Sequence, residues 1–329
     1  MQLSEANLAA LNRLHQGQAT APTMDSVLVI GAGELGLCVL QALAAHPKRQ
    51  HVKVSVLMRQ ATLDSAAPAK KRTVQKIKDL NVHFESADVV LAGVEELAGT
   101  FKGYHTVVSC SGMELPSGTQ TKLAEAALRA RVRRYFPLQY GMRYDVIGEG
   151  SSQDLFDEQL LVRRMLRGQG ETEWVIVSTG LFMSFLFVAD FGVVDLRRGV
   201  VRALGNWDNR ITLTAPPDIG RVTAEVVLDP RGVRNEVVLA AGDTVSYGQL
   251  AGLLDEHFGT RFTRELWDVD ALRRQMAEDP SVMVKYRDTF AQGRGVSWDK
   301  DRTFNYERGM ELLDVKGYLE STKFKVGEE

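Results

Sequence analysis

Long apolar runs are missing from this 329-residue chain, and no stretch approaches the length needed to cross a bilayer. Met1 to Met24 carries Gln, Ser, Glu and Asn among scattered Leu, without the apolar centre of a signal peptide. Cysteine is scarce. Cys38 and Cys110 stand far apart, inside segments expected to be buried, so no disulfide framework is expected. A cytoplasmic home follows from these absences. Excess charge is missing too: 40 Lys and Arg against 42 Asp and Glu leave a net −2, which gives no overall attraction to nucleic acid. The Arg129, Arg131, Arg133 and Arg134 cluster reads as a helix C-terminus meeting its own dipole. The six histidines and two cysteines show no metal-ligand spacing, so no metal is expected. Neither a GxSxG elbow nor a P-loop lysine motif occurs.

What is present is an ordinary globular balance, 44% apolar and 25% charged, long enough for one sizeable domain and a smaller companion. The most informative stretch is Val27-Leu28-Val29-Ile30-Gly31-Ala32-Gly33-Glu34-Leu35-Gly36. Four apolar residues suit a parallel strand buried on both faces, and the glycines let the backbone approach a pyrophosphate at the next helix's N-terminus. Gly31 makes the turn, Gly33 leaves room for phosphates, and Gly36 permits close packing of helix on strand. The context agrees: Leu35 to Ala45 is helical in pattern, His46-Pro47 stops it, and His51 to Met58 reads as the next strand. That second strand ends in Arg59, with Lys70, Lys71 and Arg72 downstream, where an NAD site would offer a carboxylate to the ribose. An arginine forks two hydrogen bonds onto a phosphate, so the expected cofactor is NADPH.

Strands are predicted at 27–30, 52–58, about 82–85, 105–110, 133–137 and 174–178, with helical patterns between. The alternation predicts an α/β protein with a Rossmann-type doubly wound parallel sheet. Helices Thr119 to Arg131 and Asp154 to Arg167 carry apolar residues at helical spacing and are expected to pack on it. The expected division is an N-terminal arm over 1–23, a dinucleotide domain over 24–180 and a smaller C-terminal substrate lobe over 181–329. A strand near 236–240 is expected to return to the first domain. No internal repeat or low-complexity linker appears.

These residues resemble the isoflavone reductase-like and NmrA-like branch of the atypical short-chain dehydrogenases. The resemblance covers about residues 26 to 270. It rests on the glycine loop, Arg59, Asp88 after the third strand, Val107 to Gly112, Tyr135-Phe136-Pro137-Leu138-Gln139-Tyr140-Gly141, and Asp218-Ile219-Gly220. It implies an NADPH-dependent reductase of phenolic or quinone-like secondary metabolites, or a non-catalytic relative that senses NADP(H) and acts through a protein partner. It places Gly31, Gly33, Glu34, Leu35, Gly36, Arg59, Lys70 and Asp88 at the cofactor. Ser109, Cys110, Ser111 and Gly112 join them along its central stretch, Gln139 is counted among the cofactor residues, and Ser178, Gly180 and Phe182 approach the nicotinamide.

Plant reductases of the family use a lysine on the helix after strand five, and that register here gives Phe156, Gln159 and Arg163. No lysine occurs between Lys122 and Lys285, and no tyrosine is followed by a lysine four residues later. A glutamine can orient a group but cannot exchange a proton at neutral pH. The remaining candidates for proton transfer are Tyr140, Tyr144, Asp145 and water, with Gln159 as a positioning residue. Phe182, Phe185 and Trp207, with Phe187 and Phe191, are expected either to wall an aromatic substrate or to fill the core. The expected partner is a small aromatic or conjugated carbonyl compound, with neither membrane nor nucleic acid; a homodimer is left open.

Overall fold

A computed structural model of the chain describes residues 26–112, 115–322 and 324. The expected arm lies outside them. The first half alternates as its pattern requires: β1 (Ser26–Ile30), β2 (Lys53–Met58), β3 (His83–Ser86), β4 (Thr106–Ser109), β5 (Arg134–Phe136) and β6 (Glu173–Ser178). Between them run α1 (Glu34–Ala45), α2 (Pro68–Asp79), α3 (Val94–Phe101), α4 (Thr119–Arg129) and α5 (Leu155–Arg167). Later come β7 (Leu181–Phe182), β8 (Val194–Asp195), β9 (Val200–Leu204), β10 (Arg210–Thr214), α6 (Pro216–Leu228), β11 (Glu236–Leu239) and β12 (Asp243–Ser246). They are followed by α7 (Tyr247–Phe258), β13 (Thr263–Trp267), α8 (Val269–Glu278) and α9 (Val282–Ala291).

Seven strands form one parallel sheet in the order β11-β6-β5-β4-β1-β2-β3. Every residue of β1 is buried, and its neighbours are β2 on one side and β4 on the other. The strand order therefore reverses between β1 and β4, which opens a crevice beyond their C-terminal ends. Alternate residues of β1 feed two cores. Val27 and Val29 pack with Val39, Leu40 and Leu43 of α1 and Ile219 and Val222 of α6. Leu28 and Ile30 pack with Leu97 and Phe101 of α3, Leu123 of α4 and Val162 of α5 on the opposite face. Burying each such aliphatic side chain contributes roughly 1.5–3 kcal/mol.

The sheet reaches past the expected boundary at 180. β11 pairs with β6 as its seventh strand, and α6 packs along α1 so closely that a Cβ on Gly220 would lie 2.4 Å from the Cys38 carbonyl oxygen. Residues 216–240 thus lie on the first domain. The second lobe holds two three-stranded sheets, β12-β10-β7 and β13-β9-β8, around Phe191, Val201, Leu213, Tyr247 and Phe290. Predicted ends shift by a residue or two. Helix α4 stops at Arg129 because Arg131 turns into left-handed backbone at φ 51°, and β4 stops at Ser109, where the Cys110 N–H donates to Ile30 O.

Among the described residues no helix is long and apolar enough to cross a membrane, and no group of three His, Cys, Asp or Glu could hold a metal ion. The arginines near β5 are spent on neighbours: Arg129 on Glu95 and Glu125, Arg131 on Glu171, Arg133 on Glu173. Arg134 is buried against the carbonyls of Val226, Val227 and Val233.

Candidate active site

The glycine loop is built as its spacing requires. Gly31 turns at φ +89° and donates its N–H to Leu57 O at 3.0 Å, tying the loop to the end of β2. A Cβ at Gly36 would stand 2.1 Å from Gly31 O, so only glycine lets α1 start against the turn. Gly33, the N-cap of α1, has nothing within 4 Å of where a Cβ would be, and no side chain caps the helix. Its first-turn N–H groups are left for an incoming acceptor. An uncapped, open helix N-terminus fits a diphosphate.

Beyond this loop lies a cleft of about 390 Å³ that brings together Gly31, Gly33, Arg59, Lys70, Asp88, Cys110 and Ser111. Arg59 and Lys70 are exposed, with no ion-pair partner among the described residues. Asp88 Oδ1 accepts the N–H groups of Val90 (2.9 Å) and Leu91 (3.3 Å), which fixes the loop after β3 that walls the cleft. Two unpaired cations beside an open helix N-terminus fit a phosphorylated dinucleotide.

Three expected cofactor residues are placed elsewhere, each for a local reason. Ser109 closes β4 with its hydroxyl inside the sheet facing Tyr135, without accessible surface. The Ser178 hydroxyl turns inward to Met142 O at 3.4 Å. The Gln139 amide is consumed by α5: Nε2 donates to Gln159 O at 2.8 Å, and Oε1 accepts from Arg163 Nε at 2.6 Å. None of the three lines the cleft or the chamber described next.

The chamber has a volume of about 350 Å³ and shares Gly33, Cys110 and Gly112 with the cleft. Leu138, Tyr140, Met142, Phe182, Phe185 and Tyr286 contribute to its walls, and Gly180 lies at its side. Glu34 and Leu35, expected at the cofactor, line this chamber and not the cleft. Phe185 leans edge-on to Tyr286 at 5.7 Å between ring centroids. Of the expected aromatic wall, Phe182 and Phe185 take part. Phe187 instead stacks on Phe324, Phe191 is fully buried, and Trp207 packs against the second lobe's core. Tyr286 was not legible as a site residue, because α9 brings it in from a hundred residues downstream with no spacing to mark it.

The expected proton carriers are mostly closed off. The Tyr140 hydroxyl has no accessible surface and faces Thr223, and desolvation pushes its phenol far above the usual tyrosine value. Tyr144 borders the chamber but has no accessible surface; burial pushes its phenol up against the opposing pull of Arg163, whose guanidinium carbon lies 5.1 Å from the ring centroid. Asp145 faces Arg167 and Arg163, which hold its carboxyl at about 2, so it carries no proton near neutrality. Gln159 is 1% exposed and does not line the chamber. Desolvation also holds the Cys110 thiol protonated. A substrate in the chamber therefore meets walls that bind and exclude water, and no accessible tyrosine hydroxyl from this set.

The switch-point crevice, glycine loop and two exposed cations define a Rossmann-type fold with a cleft that fits a dinucleotide. The chain belongs to the NmrA-like family, whose pattern matches residues 23–319. It is 53% identical, over 90% of its length and 97% of the relative's, to an NmrA-like family domain-containing oxidoreductase of Gibberella moniliformis. An isoflavone reductase homolog of Zea mays is 26% identical over 90% of this chain and 96% of its own. The fold is shared with solved isoflavone reductase (TM-score 0.75, 19% identity, 91% of this chain and 99% of that one). It is shared equally with a leucoanthocyanidin reductase–NADPH complex from Vitis vinifera (TM-score 0.75, 19% identity, 90% and 98%).

Proposed function

We propose that this protein is an NADPH-dependent oxidoreductase that reduces an aromatic or conjugated carbonyl compound, quinone-like in shape. The observation that carries the reading is the shared wall: Gly33, Cys110 and Gly112 border both the cation-bearing cleft and the aromatic chamber. A dinucleotide with its phosphorylated end at Arg59 and Lys70 has the length to cross the open glycine and reach the chamber side. The names of its relatives support the same chemistry, among them a phenylcoumaran benzylic ether reductase of Pinus taeda at 24% identity over 77% of this chain.

In this reading Arg59 forks onto the ribose 2′-phosphate, Lys70 adds charge, the α1 N-terminus takes the diphosphate, and Asp88 stiffens the wall beside the adenine. NADPH bound there supplies a hydride. The chain's own contribution is positional: Phe182, Phe185 and Tyr286 hold a planar ring and keep water from the reacting face. With Tyr140 and Tyr144 enclosed, the proton comes from water at the chamber mouth, which suffices when reduction leaves a delocalised phenolate or enolate. A missing proton donor would equally suit a non-catalytic NADP(H) sensor acting through a protein partner; the open chamber favours the reductase, because a sensor needs no room for a second small molecule.

The test is NADPH consumption by the purified protein against quinones, enones and aromatic aldehydes, alongside cofactor titration of Arg59→Ala. Turnover with at least one class is expected, and roughly tenfold or greater weakening of NADPH with NADH little changed. Tight NADPH binding without turnover on any of them favours the sensor.

A further inference from the structure

Among the described residues, the chamber wall contains no lysine, arginine or histidine and one carboxylate, that of Glu34. Glu34 opens α1 at the loop, is exposed, and accepts a hydrogen bond from Ser184 Oγ at Oε2 (3.1 Å). Ser184 belongs to the short turn Met183–Phe187; Phe182 just before the turn and Phe185 within it line the same chamber. The carboxylate is thus pinned across the chamber's edge, between the loop that cradles diphosphate and the aromatic wall. One oxygen is engaged by Ser184, and the other has lone pairs to offer. A negative charge there adds nothing to diphosphate binding, and the loop needs no side chain at this position for its turn. Its placement makes sense toward the second ligand.

Resting on the reductase reading, we propose that Glu34 is the specificity-determining residue of the chamber, selecting neutral aromatic substrates that bear a hydroxyl and rejecting aromatic carboxylates. The hydroxyl donates to the Glu34 carboxylate, a charge-assisted hydrogen bond. A carboxylate ligand meets like charge in a largely apolar cavity, with no basic group among the described wall residues to offset it. Positioned by Ser184, Glu34 turns an otherwise indiscriminate aromatic slot into a charge filter.

The experiment titrates the full-length protein, saturated with NADP+ near pH 7, with 2-naphthol and with 2-naphthoate, which share one ring system. We expect 2-naphthol to bind roughly tenfold more tightly than 2-naphthoate in the parent protein. In Glu34→Gln the naphthoate should tighten and the naphthol weaken, closing most of that gap, and Ser184→Ala should weaken naphthol to a smaller extent. An unchanged gap in Glu34→Gln overturns the proposal. So does a loss of NADP+ affinity in that variant, which would make Glu34 a cofactor ligand. If NADP+ binds and neither naphthalene does, the chamber is no aromatic site, and the reductase reading falls with the proposal; an unchanged gap leaves that reading standing.

Discussion

Arg163, buried inside α5, donates through Nη1 to Asp145 Oδ2 at 2.7 Å, and its Nε holds Gln139 at the end of β5. A single guanidinium thereby braces the turn that carries Tyr144 against the helix behind the chamber. The corner is a structural clasp.

The clasp has a pH signature. Asp145 titrates near 3.9 when unfolded and at about 2 in the folded chain, where Arg167 and Arg163 hold its charge. Its pKa is depressed on folding, so its contribution is present above about pH 4 and is lost as pH falls toward 2. Asp145→Asn should cost about 1–2 kcal/mol at neutral pH, the lower part of the range for a pair with one buried member, because the Asp145 side chain is 40% exposed and screened. Urea unfolding of both proteins across this acid range should show the difference shrinking between about pH 4 and pH 2. A constant difference would mean that the carboxylate is not the source.

Two glycines of one loop should fail in different ways. A methyl at Gly36 would meet Gly31 O at 2.1 Å, so Gly36→Ala should destabilise the fold by about 1–3 kcal/mol and lose NADPH binding as a consequence. Gly33 has open space at that position, so Gly33→Ala should melt like the parent yet bind NADPH more weakly, its methyl standing in the ligand's path. Thermal melting and NADPH titration of the two variants check the contrast.

Tyr140→Phe should leave kcat within about twofold of the parent and change stability by no more than about 1 kcal/mol, since the hydroxyl it removes is inaccessible and faces Thr223. A fall of kcat by two orders of magnitude would show that the phenol reaches substrate after all. Steady-state turnover on the best substrate of the panel decides it.

The sequence made the cleft legible because the cleft is local. Gly31, Gly33, Arg59 and Asp88 stand within a few residues of the ends of three neighbouring strands, so strand periodicity and glycine spacing alone place them at one edge. The chamber draws on α1, the loop after β5, β7 and α9, and contact between elements that distant leaves no spacing to read. Orientation was the second loss. Ser109, Gln139 and Ser178 stand at the strand ends where the family pattern puts site residues, but each turns its polar group inward. Tyr140 illustrates the same limit, since its ring reaches the chamber wall while its hydroxyl does not. Trp207 takes the core, one of the two places expected for it, since aromatic content marks a wall and a core alike.

The chain passes between the large sheet and the second lobe at 178–181, 214–216 and 239–243, and again when Phe304 and Leu312 return to the large-sheet core before Val315 rejoins the second lobe; α6 is wedged against α1 where Gly220 meets Cys38. Any relative movement of the two lobes therefore has to bend all of these passages together, and the first of them leads directly into Met183–Phe187, the short turn that sets Phe185 in the chamber wall.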